Sequence, residues 1–385
     1  MGRLASVFIP IAALSACQPR SLCPLEVLEN LTGVVVYTCS TQTKAEGATV
    51  RVPIEAGDST VLINALGDAR VSVSEIRNPD GNTILLAEDW YQADYNYTQG
   101  VMPLYAETTL NFPVQDDETP LQPGELEIDL IAIDEDGFLL ADVPLQTTVH
   151  VKSDNDFQTG ELEVLLYFVQ SAASDTDVQD ATQSAITAFS ELLVPYGITP
   201  RVTSETLNDF DGSLQLMPPS FDEDNTYLPI TEASGLRRFT IIVGDSIHHP
   251  EVEDGVHGIA GAIPGSLAAG NHSVVLVSWL SHAGPNASFN TGEITLMAET
   301  LAHESLHFMG LFHPTDQSQD AEEDIYDTFD NLADTEPCQE RSTCETLLGR
   351  NIMFGYPVCD GIACVAQSEL TEDQRGVMHR YAGAL

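Results

Sequence analysis

Positive charge is what this chain has least of. Only 14 of its 385 residues are Lys or Arg, against 59 Asp and Glu, for a formal net charge of −45. A surface so poor in cations repels phosphate backbones, which argues against nucleic acid as a partner. It suits a saline medium, cations such as calcium, or basic substrates. The acids are scattered and not gathered in one tail, and the hydrophobic fraction of 43% is that of a core-forming protein, so disorder is not the default. Any apolar run long enough to span a bilayer is also lacking. Neither a Ser-His-Asp arrangement nor a phosphate-binding glycine loop can be picked out.

Cysteine is sparse too, seven in all, and none of the spacings makes a convincing cysteine zinc site. Near the start, Arg3 is followed by LASVFIPIAALSA, too short to span a membrane and of the right length for a targeting segment. It ends in Leu14-Ser15-Ala16-Cys17, which resembles a bacterial lipobox. That resemblance implies a signal peptide over residues 1–17 and lipidation of Cys17. With Gln18 and not Asp next in line, it also implies an anchor in the outer membrane or at the cell surface. Simple secretion with cleavage nearby is the competing reading. Setting Cys17 aside, seven less one leaves six cysteines, an even number suited to disulfides in an oxidising compartment. Cys23 and Cys39 form the natural early pair, whereas Cys338, Cys344, Cys359 and Cys364 allow three pairings.

Residues 18–153 read as an all-β, sandwich-like domain. The segments 33–38, 48–54, 59–66, 70–76, 125–133 and 144–152 are short and β-branched, and many of them alternate. Turn signals separate them, such as Asn78-Pro79-Asp80-Gly81-Asn82 and Asp134-Glu135-Asp136-Gly137. No catalytic constellation occurs there. An adhesive, spacer, substrate-presenting or stabilising role all fit. After a polar linker at 153–160 the pattern changes. Strands are expected at 161–169, 201–207, 238–247 and 273–280, and helices at 175–194 and from about Glu293 to Met309. Strands alternating with helices make residues 154–385 an α/β or α+β domain.

Residues 303–313 read HESLHFMGLFH. His303 and His307 are four apart on the expected helix, so both rings leave one face and can share one ion. Gly310 can take the left-handed conformation that ends a helix, letting the chain turn back with His313 as third ligand. Three imidazoles make an open zinc site of the catalytic kind, and Glu304 beside the first ligand can act as general base. Composition alone produces five such specified positions at odds on the order of 10⁻⁵ to 10⁻⁴. The surrounding Leu301, Ala302, Leu306, Phe308 and Met309 suggest a buried helix, where two unpaired histidines and a glutamate would be costly without a metal.

The full string HExxHxxGxxH resembles the metzincin clan of zinc metallopeptidases. The resemblance implies a metzincin-like fold and a methionine turn beneath the metal, which Asn351-Ile352-Met353-Phe354 matches with Met353. Within the clan the chain looks most like the pappalysin family, through residues 333–338, the Asn-x-Met turn and LTEDQRGVMHRY at 370–381. It departs from that family in carrying Glu336 inside the Asp-Thr-Pro segment. It also places Tyr356 three residues after Met353, where the family tends to have a tyrosine two after. The resemblance makes Tyr356 a candidate oxyanion stabiliser. It also makes GIAGAIPGSL (258–267) a cleft-rim strand for extended substrate, with a glycine-rich loop as the alternative.

Two further clusters compete for ions. His248, His249 and His257 sit among Glu251, Glu253 and Asp254, where a solvated loop outweighs a second metal. Asp316, Asp320, Glu322, Glu323, Asp324, Asp327 and Asp330 follow the third histidine and suit calcium, though without EF-hand spacing. The expectation is therefore a lipid-anchored, extracytoplasmic zinc endopeptidase with one catalytic Zn²⁺, Ca²⁺ as a second candidate ion, and protein or peptide substrates. A non-catalytic zinc-containing binding or adhesion lipoprotein, and a zinc amidase acting on cell-wall peptides, are the alternatives.

Overall fold

The computed structural model describes residues 20–86, 106–115, 118–210, 214–215, 227–235, 238–248, 256–284, 286–317, 326–330, 332–359 and 364–385. Cys17 and the signal-like segment lie outside them. Period-two patterning in the first part of the chain builds two sheets. Their strands are β1 (Ser21–Cys23), β2 (Glu26–Leu31), β3 (Val34–Gln42), β4 (Ala48–Ile54), β5 (Thr60–Gly67), β6 (Arg70–Arg77), β7 (Thr83–Leu86), β8 (Glu107–Phe112), β9 (Gly124–Ile133), β10 (Leu139–Leu140) and β11 (Pro144–Lys152). One sheet runs β1-β4-β9-β6-β7 with β10 beside β9, and the other β2-β3-β11-β5-β8. Val50, Val52, Val73, Ile128 and Leu130 of the first meet Val61, Ile63, Val149 and Val151 of the second in one hydrophobic core.

Beyond its exposed edge strand β2, the second sheet is largely buried on both faces. Successive side chains of a strand point to opposite sides. Val61 and Ile63 therefore enter that core, while Leu62, with Val34 and Val36, joins a different one alongside Leu162, Phe308 and Tyr381. Double burial is why residues 59–66 read as an almost unbroken apolar run. The outward face also carries polar groups with partners far along the chain. Lys152 Nζ donates to the carbonyl of His379 at 2.6 Å and to that of Ala384. Thr60 Oγ1 donates to the Arg380 carbonyl at 2.8 Å, and Asn111 Nδ2 reaches the same oxygen at 3.3 Å.

The rest of the chain alternates strands and helices. β12 (Gly160–Phe168) leads through α1 (Thr176–Leu193) to β13 (Ile198–Thr206) and β14 (Leu214–Gln215). Then come α2 (Leu228–Ser234), β15 (Phe239–Gly244), β16 (Ile247–His248), β17 (Gly258–Ala260), β18 (Val274–Ser278) and α3 (Thr291–Phe308). β19 (Thr315–Gln317), β20 (Tyr326–Phe329), α4 (Arg341–Leu348) and α5 (Glu372–Arg380) complete the described elements. The main sheet has the order β13-β12-β15-β18-β17. Its first four strands are mutually parallel, and β17 is antiparallel to β18 at the edge. The Asp175 side chain caps α1, whose stripe Val178, Ala181, Ala185, Ile186, Phe189 and Leu193 is buried. A capping box of Asn290 and Glu293 starts α3, which packs on α1. The whole is a mixed α/β structure with several sheets. Of the glycine-rich stretch at 258–267, only Gly258–Ala260 is strand, and the remainder is turn and loop.

Disulfides join Cys23 to Cys39, Cys338 to Cys344 and Cys359 to Cys364. The four late cysteines thus pair in chain order, and the set fits an oxidising compartment. Among the described residues no helix is long and apolar enough to cross a membrane.

Lys152 gives this arrangement a direct test. Lys152→Ala leaves two buried carbonyls without their donor, which should lower the unfolding free energy by about 2–5 kcal/mol in denaturant titration.

Candidate metal centre

Helix α3 places His303 and His307 on one face, one turn apart. It ends at Phe308, and Gly310 then takes φ +104°, a conformation that L side chains rarely adopt. The Gly310 N–H returns to the His307 carbonyl at 2.9 Å and that of Leu311 to Leu306 at 3.0 Å, closing the helix. His313 comes back over the helix end as a result. Its Nε2 lies 3.0 Å from Nε2 of His303 and 3.0 Å from Nε2 of His307.

The opposite nitrogen of each ring has its own acceptor. His303 Nδ1 donates to the Ile352 carbonyl at 2.7 Å, His307 Nδ1 to the Leu311 carbonyl at 2.6 Å, and His313 Nδ1 to Asp316 Oδ1 at 2.8 Å. These acceptors put the ring proton on Nδ1 and leave the Nε2 lone pairs facing one another. Burial pushes His303 down to about 3, helped by His313, and His307 well below its ordinary value, helped by His303 and then His313, so both are neutral. Burial also works to lower His313, but the hydrogen bond and charge of Asp316 outweigh it and raise this ring. Three convergent lone pairs repel unless a cation sits among them, and three imidazole nitrogens are a zinc donor set. Among the described residues, His303, His307 and His313 are the only group of three or more His, Cys, Asp or Glu whose ligand atoms approach one another closely enough to hold an ion.

Glu304 is buried beside them. Burial pushes its carboxyl up to about 7, against the opposing pull of His313 and of a hydrogen bond from the Ala260 backbone. Ala260 belongs to β17, so the edge strand lies directly over this carboxylate. Gly258 makes that approach feasible, since a Cβ there would sit 2.8 Å from Glu304 Cγ. The cleft in front, about 340 Å³, is lined by His257, Glu299, Thr300, His303, Glu304 and Tyr356, among others.

Met353 is fully buried in the main core, one residue beyond the carbonyl that holds His303. Asn351 Oδ1 accepts the Met353 N–H at 2.8 Å, and Asn351 Nδ2 donates to Gln374 Oε1 at 2.8 Å. Gln374 is also half of the capping box of α5, with Thr371. Tyr356 lines the cleft wall with its hydroxyl 3.5 Å from Glu345 Oε1 and its ring under the Arg341 guanidinium. The other expected clusters do not assemble among the described residues. His248 is exposed, while His249, Glu251, Glu253 and Asp254 lie outside the described residues. His257 packs on His282, which bonds the Ser278 carbonyl and Thr300. Of the acidic stretch, Asp320, Glu322, Glu323 and Asp324 also lie outside. Asp330 is buried against Thr335, and Asp316 holds His313.

Sequence reasoning missed this last role, together with the carbonyls of Leu311 and Ile352 and the tie from Asn351 to Gln374. A carboxylate three residues after a ligand histidine is a readable signal. Main-chain carbonyls leave none.

Asp316→Ala should weaken zinc binding about 10–100-fold in competition with a chromogenic chelator, with the far-ultraviolet circular dichroism unchanged. No protein-family model and no curated protein matches the chain. Among solved structures it is similar to archaemetzincin from Methanopyrus kandleri, at 14% identity over 42% of this chain and 78% of that one, with a TM-score of 0.27. Metalloproteinase-II from Bacteroides fragilis matches at 14% identity over 78% and 80%, TM-score 0.28. A chain of a chaperone–substrate complex matches at 12% over 52% and 28%, TM-score 0.28. Likeness at this level decides neither family nor activity, which are left to the side-chain geometry.

Proposed function

We propose that the chain is a zinc-dependent endopeptidase of the metzincin type, closest to the pappalysin family. The observation that carries this reading is the convergence of three imidazole Nε2 atoms beside a buried glutamate, beneath an edge strand. His303, His307 and His313 would hold the ion. Bound zinc would supply polarisation of the scissile carbonyl and a more acidic water. An extended peptide laid along β17 gains main-chain hydrogen bonds, which brings its carbonyl toward the histidines. Glu304 then takes a proton from the attacking water as the oxygen–carbon bond forms. It returns that proton to the departing nitrogen as the carbon–nitrogen bond breaks, and the second water proton passes from the new carboxylic acid to the amine, leaving a carboxylate and an ammonium. Tyr356 would have to leave Glu345 before it could donate to the developing oxyanion.

The same reading divides the chain into a lipoprotein signal peptide (1–17), a β-sandwich-like domain (18–153) and the catalytic domain (154–385). Cys17 would carry the lipid that holds the protein at the outer membrane or cell surface. The even set of paired cysteines left once Cys17 is set aside supports an extracytoplasmic setting.

Zinc content and casein cleavage, with and without chelator, test the proposal. Glu304→Gln should keep zinc and lose about 10²–10⁴-fold in turnover. His303→Ala should lose both zinc and activity. A fully active Glu304→Gln variant overturns the assignment. Zinc binding without cleavage would favour a binding lipoprotein, and cleavage of peptidoglycan fragments alone would favour an amidase.

A further inference from the structure

Loop 261–273 connects β17 to β18, so it hangs from the strand that lies over Glu304. Part of it is fastened to the α/β half. The Gly265 N–H reaches the Phe308 carbonyl at 2.8 Å, Tyr381 donates to the Gly265 carbonyl at 2.9 Å, and Asn271 Oδ1 accepts from the N–H of Tyr227 at 3.2 Å. The end that returns into β18 is held by a residue of the N-terminal sheet, 165 positions away.

That residue is Glu107, the first of β8, whose side chain is wholly buried. Its Oε2 accepts the His272 N–H at 3.3 Å, and its Oε1 accepts Ser273 Oγ at 3.2 Å and Asn64 Nδ2 at 2.8 Å. Gly270 lies flat on the carboxylate, where any Cβ would collide with both oxygens. From this anchor the contacts run back to the cleft. His272 Nδ1 donates to the Gly261 carbonyl at 3.2 Å, and the Gly261 N–H donates to Val274 at 2.8 Å. The residue before Gly261 is Ala260, whose backbone bonds Glu304. A carboxylate buried between two halves of a chain is costly unless its donors are fixed. Here two of the three donors belong to the loop that joins the rim strand β17 to β18.

We infer that Glu107 is a positioning residue for the substrate-binding rim: through His272 and Ser273 it sets where β17 lies over Glu304. The N-terminal β-layer is accordingly a standing part of the working enzyme and not a segment shed on activation. The kinetic half of this inference rests on the peptidase reading; the structural half does not.

The test uses the full chain with zinc. In Glu107→Ala, amides of residues 258–261 and 272–274 should exchange hydrogen at least about tenfold faster, while those of β12 and β15 and the zinc content stay as in the parent. KM for a long peptide that reaches β17 should rise about tenfold with kcat nearly constant, a short substrate should be indifferent, and Glu107→Gln should recover most of the loss. Gly270→Ala, which presses on the same carboxylate, serves as a second variant should Glu107→Ala not fold. Unchanged exchange at the rim overturns the inference, as does an equal loss on long and short substrates with zinc release, or an active form lacking residues 20–152. An inert parent protein whose rim still loosens in Glu107→Ala supports the anchoring and sinks the peptidase reading alone.

Discussion

Three converging imidazole nitrogens, with His313 Nε2 lying 3.0 Å from each of the other two, are the constraint on which the rest of this structure depends. Such a cluster is repulsive by itself, so every ring needs an anchor that fixes its tautomer and direction. The anchors come from three places. Leu311 belongs to the turn made possible by Gly310, Asp316 to the strand after His313, and Ile352 to a turn nearly fifty residues on (49 from His303). That last turn is itself held by Asn351 on Gln374, which shares the capping box of α5 with Thr371. The terminal helix, far from any chemistry, is therefore tied to the orientation of His303 through two side chains and one carbonyl.

Much of this was legible from residue order. The alternating segments of the first part fall on β3 to β6, β9 and β11, and the helical spacings on α1 and α3, because periodicity reports directly which side of an element is buried. The metal cluster was legible because its ligands are side chains at helical spacing. Less visible were β8 and α4, too short to show a period, and the orienting carbonyls, which any residue supplies. Asp316 was misplaced among calcium-type acids because composition groups it with its neighbours, whereas the fold brings it to His313. Glu107 gave no signal at all. Its partners on the loop, His272 and Ser273, are 165 and 166 residues away, and a glutamate at the start of a strand ordinarily faces water.

The scarcity of cations takes on meaning beside the few places where they are committed. Arg77 bonds Asp129 at 2.6 Å and Glu127 at 3.0 Å, and the Asp129 side chain is completely shielded from solvent. Arg20 pairs with the same carboxylate and Thr49 Oγ1 donates to it at 2.6 Å, so two of the few guanidiniums are spent compensating one buried charge in the first sheet. Lys152 and Arg380 lie where the sheets meet the end of the chain. The cleft, in contrast, is lined by Glu299 and Glu304 and by histidines kept neutral by burial.

The second sheet settles how far the two halves can be treated as separate objects. On a free-standing pair of sheets, the face bearing Val34, Val36 and Leu62 would meet water. Here the same face also carries Lys152, Glu107 and Asn111, each hydrogen-bonded to the backbone or side chains of the α/β half. Exposing it would uncover the apolar residues and strip those polar groups of fixed partners at the same time, two costs that add. Lys152 at one end of this buried surface and Glu107 at the other therefore tie the sheet to the α/β half at two separate points, one at the end of the chain and one at the loop that leads into β18.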